Sequence, residues 1–468
     1  MLLFSGSLLA ACAAGPDYER PEMDLPEHWA TKPSTTSSAT EKPVNSAGER
    51  WWSLYTDPVL DKIEDEALAH NVDAQVATSR ILEARAQLGI TESDQYPILN
   101  ATGTQSRTKN SINPGLFIPP IRVLNLSRVT LDASYELDLW GKFRRASEAS
   151  RADLFAAQFN RDAVRFSLTA QVAQQYFALL SADAQESAIR RVLAGRQKRL
   201  ALDKMRYKTG VISEYDLHQS EADADTAQSQ LISITQARDQ QEASLALLLG
   251  RSPRDVMNGK LERGSPTLAN IWVPDGLPAE LLLRRPDIQG AEQKLIAMNA
   301  RIGAARAQFF PSINLTSYFG SQSISLSNLF TGPAGIFRFA AGISQPIFDA
   351  NRIKFGVKIA ESRRDQALAQ YKQTVANAFA DTRNALFAQE SARQILTAES
   401  SRSRALSKAH KQAELRYNIG LSSHLELLDV ERNYLQAELA RIDAERAQRT
   451  AVASLFKALA GGWPQSNR

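Results

Sequence analysis

Two long stretches without proline limit what this chain can fold into more than any other feature. Residues 142–207 and 351–417 each contain no proline and a single glycine. Apolar residues recur in them at gaps of three and four positions, as at Ala170, Ala173 and Phe177, which is typical of helices that pack along their length. At about 1.5 Å per residue each predicted helix is about 100 Å long. A rod of that length needs neighbouring helices along all of it, because a small globular core cannot cover it.

The chain also repeats one helix–turn–helix unit. The segment RYKTGVISEYDLHQSE at 206–221 is echoed by RYNIGLSSHLELLDVER at 416–432, at an offset of 416 − 206 = 210 residues. Gly210 and Gly420 follow the first helix of each unit, where glycine permits a left-handed turn. The sequence therefore predicts a duplicated half, and in each half a long helix that turns into a returning helix.

Each returning helix is preceded by a serine that lies three residues before an acidic residue. Ser213 precedes Asp216, and Ser423 precedes Glu426, so each serine is placed to cap the first helical turn. A capping box has Glu or Gln at the acid position, so only the Glu426 copy matches that pattern strictly. Both acids therefore have a structural explanation as well as any functional one.

Four segments of alternating apolar and polar residues predict β-strands. They cover about 97–107, 127–139, 312–323 and 336–345. An alternating strand has one apolar face, which suits either a soluble core or the lipid side of an outer-membrane barrel. Four strands leave open edges, which lipid does not tolerate and water penalises. We therefore expect other copies of the chain to complete the sheet and to cover the long helices.

The N-terminus has the pattern of a secreted, lipid-anchored protein. Residues 1–11 are short and apolar like the core of a signal peptide. Cys12, the single cysteine, follows Leu-Ala-Ala as in the lipobox of bacterial lipoproteins, in which the signal is cut before a cysteine that is then acylated. The alternative is an ordinary buried N-terminal segment with an incidental cysteine.

The remaining boundaries follow from the repeat and from composition. In order they are a lipid-anchored linker at 12–50, the first repeat at 51–250, a connector at 251–277, the second repeat at 278–462 and a C-terminal tail at 463–468. The predicted long and returning helices are 142–207 with 215–249, and 351–417 with 425–459.

Composition and motifs exclude several classes of function. The net charge of +4 comes from 55 bases against 51 acids, a near balance that gives no reason to expect nucleic-acid binding. Signatures of hydrolases, zinc proteases, phosphate-binding loops and redox dithiols are absent. The five histidines have no metal-ligand spacing. We expect no enzyme activity, no cofactor and no metal.

Several motifs together give the chain a family resemblance. They are the prolines before predicted strands (Pro97, Pro311), the segment Arg284-Arg285-Pro286-Asp287-Ile288, and the turn with Tyr417, Gly420 and Leu427-Leu428-Asp429. With these motifs the chain resembles the TolC-like outer membrane factors of Gram-negative bacteria, in their NodT-type lipoprotein branch. The resemblance covers essentially the whole chain.

That resemblance implies a mainly α fold with a small β part, assembled as a homotrimer. Three chains with four strands each would form a twelve-stranded outer-membrane β-barrel, continued by a periplasmic α-helical barrel. It also implies a periplasmic membrane-fusion adaptor and an inner-membrane pump, of the resistance-nodulation-division type, as partners. The protein would lie in the bacterial outer membrane, anchored in its lipid, with a large periplasmic part.

The resemblance further implies a gate at the helix turns. Asp429 matches an acid that faces the pore at its narrowest point in the family, where a ring of carboxylates would favour cations. Arg432 lies three residues further along the same helix face and would neutralise Asp429 in the closed state. The other expected gate residues are Glu426, Asp216, Arg416 and Tyr417.

These residues also have plainer explanations. Glu426 and Asp216 can act only as caps, and Asp429 with Arg432 can be an ordinary surface pair. His424 in the second turn could make the gate sensitive to pH, but a solvated turn histidine is the simpler interpretation. Gly210 and Gly420 mark the turn surface where the adaptor is expected to dock.

The function expected from all of this is an outer-membrane exit duct of a tripartite efflux pump, which conducts small molecules passively. The same duct in a type I protein secretion system is one alternative. A soluble periplasmic coiled-coil scaffold is another, of a different class, and the four alternating strands argue against it.

Overall fold

A computed structural model describes residues 14–26, 50–109, 123–267 and 279–459. Outside the described residues lie the predicted signal peptide, Cys12, most of the predicted linker, residues 268–277 of the connector and the C-terminal tail. Within them the chain is mainly helical with one small sheet, as the sequence predicts. The helices are α1 (Pro58–His70), α2 (Val72–Ser93), α3 (Lys142–Lys208), α4 (Glu214–Leu248), α5 (Pro253–Asn258), α6 (Pro286–Ala307), α7 (Arg352–Asn418) and α8 (His424–Ala458). The strands are β1 (Ile98–Lys109), β2 (Val123–Glu136), β3 (Ser312–Ser323) and β4 (Gly335–Ser344).

The two long helices are of equal length. Both α3 and α7 have 67 residues, and both returning helices, α4 and α8, have 35. At about 1.5 Å per residue the longer pair spans about 100 Å. Among the described helices, none combines the length and hydropathy that a helix needs to cross a membrane.

The four strands form one antiparallel sheet in the order β1-β2-β3-β4. The contact between β2 and β3 joins the two sequence repeats. Strand β2 ends at Glu136, before the predicted end at 139, because the chain turns there into α3. Gly141 makes that turn with a φ of +80°, and Lys142 Nζ binds Glu136 Oε1 at 2.9 Å. Strands β1 and β4 each have one edge with no partner strand among the described residues.

The register gives the sheet two chemically different faces. Partners in an antiparallel pair point to the same side. Leu131 is opposite Phe319, which is opposite Phe337, and this face is apolar although its large side chains are exposed. On the other face Asp132 is opposite Tyr318. The strands therefore separate apolar from polar residues without burying the apolar face within the chain.

The described N-terminal segment, residues 14–26, is packed rather than free, although it belongs to the predicted linker. Asp17 Oδ1 accepts a hydrogen bond from Arg145 Nη2 at 2.6 Å, and the carbonyl of Pro16 accepts one from Asn299 at 3.0 Å. Arg20 Nη2 pairs with Glu292 Oε2 at 2.6 Å. These contacts fix the segment against α3 and α6.

The chain divides into two compact units that cut across the sequence repeats. One unit contains the sheet with residues 79–158 and 290–372, and the other contains 24–78, 159–289 and 373–468. The second unit has an aromatic core. In it, the Trp51 ring stacks on Phe456 with centroids 5.5 Å apart, and Tyr55 lies 4.6 Å from Phe177. Burying each such ring stabilises the unit by about 1.5–3 kcal/mol.

The motif Arg284 to Ile288 holds the end of the last helix. Arg285 Nη1 donates a hydrogen bond to the carbonyl of Ala458, the last residue of α8, at 2.9 Å. The same guanidinium binds both carboxylate oxygens of Asp287, at 3.0 and 2.7 Å. A cation at a helix C-terminus satisfies carbonyls that have no partner within the helix.

Candidate functional site

The two repeated turns have the same backbone geometry. Gly210 and Gly420 have φ values of +74° and +78°. The N–H of Val211 bonds to the carbonyl of Arg206 at 2.8 Å, and the N–H of Leu421 bonds to that of Arg416 at 2.8 Å. Each glycine N–H also bonds back to the carbonyl three residues earlier. This is the Schellman arrangement, in which the residue after the helix must be left-handed.

The two returning helices begin with different caps, and the difference is the reverse of the sequence expectation. In α4 the capping box is complete, because Asp216 N–H bonds to Ser213 Oγ at 3.2 Å and Asp216 Oδ2 accepts from Ser213 N–H at 3.2 Å. In α8 only the bond from Glu426 N–H to Ser423 Oγ forms, at 3.2 Å. The strict sequence match therefore lacks the reciprocal bond, and the Asp copy has it.

The Glu426 side chain instead contacts α7, the helix that precedes the second turn. Its Oε1 lies 3.7 Å from Arg416 Nη2, and both side chains are exposed. An exposed pair of this kind is worth less than about 1 kcal/mol. The pair joins two of the predicted gate residues across the second turn.

Tyr417 joins the two turns to each other. Its hydroxyl accepts a hydrogen bond from Arg206 Nη1 at 3.5 Å, and the Arg206 guanidinium lies 6.0 Å from the ring centroid. Burial, with the nearby Asp203 carboxylate, raises the pKa of the Tyr417 hydroxyl. The His424 ring meets Tyr417 edge-on at 5.9 Å, and its Nε2 is buried without a hydrogen bond. His424 is therefore half-buried, with one ring nitrogen out of contact with solvent.

Arg432 does not neutralise Asp429 within the chain. Its Nη2 lies 3.2 Å from Asp223 Oδ1, on α4, so the expected pairing along one helix is wrong for a single chain. Asp429 is exposed, and its Oδ2 accepts a hydrogen bond from Asn433 at 3.2 Å. The carboxylate charge of Asp429 is therefore left without a cation among the described residues.

A buried ionic contact joins the two helical hairpins, α3–α4 and α7–α8, and it was not predicted. The carboxylate of Glu431, on α8, lies between Arg196 Nε and Arg199 Nη1, each at 3.0 Å. Arg196 also donates to the carbonyl of Asp223 at 2.9 Å. Burial alone would raise the pKa of Glu431, but Arg199 and Arg196 outweigh it and hold this pKa below its ordinary value. We call Arg196, Arg199, Asp223, Glu431 and Arg432 the ionic lock.

A second buried contact lies between the ionic lock and the first turn. Ser220 Oγ, on α4, donates to Asp203 Oδ2, on α3, at 2.6 Å, and both side chains are buried. The contact holds the first hairpin closed between the lock and its turn. Removing one member of such a buried network costs far more than removing an exposed pair.

The burial of Glu431 could have been predicted from the sequence. Glu431 follows Leu427 and Leu428 at spacings of four and three and precedes Leu435 by four. It therefore occupies a position in the apolar stripe of α8, where a charged residue must find a buried partner. In the first repeat the equivalent residue, Glu221, lies on the surface beside His218 and Lys204.

The site as a whole joins helices. Among the described residues no group of three or more His, Cys, Asp or Glu could hold a metal ion. The contacts link α3 and α4 to α7 and α8 close to the two turns. Such an arrangement can hold a helical mouth shut and release it when the contacts break.

Comparison with known proteins agrees with this architecture. The profile described as outer membrane efflux protein matches residues 64–251 and 277–461. The cation efflux system protein CusC of Escherichia coli is 33% identical over 461 residues, which are 98% of this chain and 97% of CusC. The toluene efflux pump outer membrane protein TtgC of Pseudomonas putida is 33% identical over 99% of this chain and 95% of TtgC. The crystal structure of the CmeC outer membrane channel of Campylobacter jejuni has a TM-score of 0.91 at 27% identity, covering 98% of this chain and 96% of CmeC.

Fold and matches together define an outer-membrane channel protein. The chain belongs to the outer membrane efflux protein family. Its place is accordingly the outer membrane, its function is efflux, and its family is one of channels rather than enzymes.

Proposed function

We propose that three copies of this chain form one continuous exit duct. The observation that carries the proposal is the sheet, which among the described residues has four strands, two edges without a partner strand and an exposed apolar face. Three such sheets joined edge to edge give a closed twelve-stranded barrel, which removes every edge and turns the apolar face to lipid. The 67-residue helices α3 and α7 gain their missing neighbours in the same assembly.

Subunit number and conduction test this assembly together. Protein extracted in detergent should sediment as a trimer and should form ion-conducting channels in planar lipid bilayers. A folded monomer that stays soluble without detergent would overturn the proposal.

The duct is closed, in this proposal, at the helix turns. Asp429 from three chains forms a carboxylate ring at the mouth, with Glu426 and Asp216 near it. The ionic lock and the Tyr417–Arg206 contact hold the two hairpins together, and the Arg416–Glu426 pair closes the second turn. Two features support the assignment: Asp429 has no cationic partner among the described residues, and Arg432 on α8 pairs with Asp223 on α4.

Single-channel conductance tests the gate. The double variant Asp429→Ala with Arg432→Ala should conduct more than the parent, because it loses both the ring and one cross-hairpin contact. Asp225→Ala removes an exposed carboxylate from α4 and is the matched control. If the double variant conducts no more than this control, these residues do not belong to the gate.

The same turns are the proposed docking site for a periplasmic membrane-fusion adaptor. The surface around Gly210 and Gly420 is apolar and exposed, with Val211 69% and Leu421 68% accessible. Exposed apolar side chains grouped at one end of a protein are typical of an interaction surface. The adaptor would link the duct to an inner-membrane pump, most simply of the resistance-nodulation-division type. Val211→Asp with Leu421→Asp should abolish cross-linking to the adaptor while trimers persist.

Cargo selection is assigned to the inner-membrane pump. CusC is named for cations and TtgC for toluene, yet each is 33% identical to this chain over nearly all of it. Both names describe efflux, which favours efflux over protein secretion. A wide duct lined by polar residues need not recognise what it conducts.

Acylation at Cys12 would anchor each chain in the outer-membrane lipid. The support is the Leu-Ala-Ala-Cys pattern, and several acyl chains bind a membrane firmly at about 0.8 kcal/mol per buried CH₂. Cys12→Ser should abolish incorporation of radiolabelled palmitate. Labelling that persists in this variant would refute the anchor.

A further inference from the structure

Two arginines lie on either side of Tyr318 on the polar face of the sheet. Arg338, on β4, is directly opposite Tyr318 in the register. Arg128, on β2, places its guanidinium carbon 4.3 Å from the centroid of the Tyr318 ring. Opposite residues in an antiparallel pair lie within about 5.5 Å at their β-carbons. Both cations therefore belong to one patch of the polar face.

Gly320 makes room for Arg128 to reach this ring. In the register Arg128 is opposite Gln322, so its side chain must cross the position of Gly320 to reach Tyr318. A β-carbon at Gly320 would lie 2.1 Å from the carbonyl oxygen of Val129 and 2.9 Å from the methyl group of Thr130. A side chain at this position would therefore clash and would also block the route. The glycine keeps the gap open.

The nearest acid on this face does not pair with either arginine. Asp132 Oδ2 accepts hydrogen bonds from the hydroxyls of Thr102, at 2.6 Å, and of Thr130, at 3.1 Å. Arg338 is exposed and makes no hydrogen bond or ion pair with any part of the chain that the structure describes. Two guanidinium groups thus share the patch with one carboxylate, and that carboxylate is bound by hydroxyls.

The patch lies in the half of the sheet away from the long helices. Arg338 is the fourth residue of β4, which begins at Gly335 after the β3–β4 connection and leads at its other end towards α7. Arg128 is likewise in the first half of β2, whose other end leads into α3. In a barrel, the strand ends away from the periplasmic helices form the outer mouth.

We propose that Arg128 and Arg338 form a cationic belt that binds anionic groups inside the outer mouth of the duct. The inference rests on the proposed trimer, in which the polar face lines the lumen and the belt holds six guanidinium groups. Guanidinium pairs carboxylate, phosphate and sulfate groups in bidentate fashion. The ligand class is a solute that carries two or more such groups.

A cysteine beside the belt reports its potential directly. Thr104 is opposite Arg128 in the register, on the polar face. In Thr104→Cys, reaction rates are compared for two methanethiosulfonates added from outside, one with a sulfonate group and one with a trimethylammonium group. Background labelling is measured on the parent, whose one cysteine is Cys12. This readout does not depend on whether the gate is open.

The belt predicts that the anionic reagent reacts faster than the cationic one. Adding Arg338→Gln should lower the ratio of the anionic to the cationic reaction rate about tenfold, because the belt of the trimer then loses three charges at once. Because Arg338 makes no hydrogen bond or ion pair with the described residues, this change should leave the fold intact, and Arg128→Gln should act in the same direction. Arg107→Gln is the matched control, because Arg107 lies on the opposite face of the same sheet.

The outcomes separate this inference from the proposed duct. If neither polar reagent labels the cysteine in the assembled protein, the polar face is not wet, and the duct itself fails. If both reagents label it at equal rates, or if Arg338→Gln leaves the ratio where it was, the duct stands and the cationic belt is wrong.

Discussion

Glu431 and Arg196 form a buried ion pair, with Oε1 and Nε 3.0 Å apart and side chains that are 8% and 5% exposed. The pair joins the returning helix of the second repeat to the long helix of the first. Exposed pairs near the turns, such as Arg416 with Glu426, contribute little by comparison. The buried pair therefore contributes more to stability than the exposed pair at the second turn.

Glu431→Gln should destabilise the protein by about 3–5 kcal/mol, because it leaves the Arg196 and Arg199 charges buried with no counter-charge. Guanidinium unfolding of the detergent-solubilised protein, followed by helical circular dichroism, measures the loss. Asp429→Asn is the control, since Asp429 is exposed and the change should stay within about 0.5 kcal/mol. Equal effects of the two variants would show that the ionic lock contributes no cohesion.

Acid should release the same lock. The pKa of Glu431 lies below its ordinary value. The ion pair's contribution to stability is therefore complete above about pH 4.3 and is lost as pH falls through the lowered pKa. The difference in melting temperature between the parent and Glu431→Gln should therefore shrink below about pH 4. A difference that stays constant from pH 6 to pH 3 would contradict this account.

The turns could be predicted because local chemistry determines them. A left-handed residue after a helix calls for glycine, and Gly210 and Gly420 stand at those positions. The two helix caps, in contrast, cannot be predicted from local rules alone. The longer side chain of Glu426 pairs with Arg416, whereas the shorter Asp216 closes the capping box that the rule assigns to Glu.

The ionic lock could not be predicted because its partners are far apart in sequence. Glu431 pairs with Arg196 across 235 residues, and no local pattern shows which helices lie side by side. The apolar stripe of α8 marks Glu431 as buried, but it does not identify the cation. For the same reason the predicted partner of Arg432 was Asp429, its neighbour on one helix, whereas in the structure the partner is Asp223 on α4.

Glu64 should respond to pH in the opposite direction. It is fully buried, both carboxylate oxygens lack a hydrogen bond, and burial raises the pKa well above its ordinary value. The contribution of Glu64 to the free energy of unfolding is fully present below the ordinary pKa. It is lost as pH rises through the raised pKa, and the free energy of unfolding then falls by up to about 1.4 kcal/mol per pH unit. Glu64→Gln should therefore gain stability relative to the parent as pH rises above the ordinary pKa of about 4.3. Glu83→Gln, on an exposed part of α2, should show no such trend, and a trend shared by both variants would rule out burial as its cause.

Glycine-to-alanine changes should have opposite signs at the turns and inside a helix. At Gly420 a β-carbon would meet no atom within 4 Å, so the cost of alanine comes from the left-handed backbone alone, about 1–2 kcal/mol. Gly420→Asn should recover part of that loss, because asparagine tolerates this conformation. At Gly195, inside α3, there is equal space and no positive φ, so alanine should stabilise by about 0.5–1 kcal/mol. Chemical unfolding of the three variants measures all of these changes, and a loss at Gly195 as large as that at Gly420 would show that crowding between neighbouring helices, rather than backbone conformation, decides the effect.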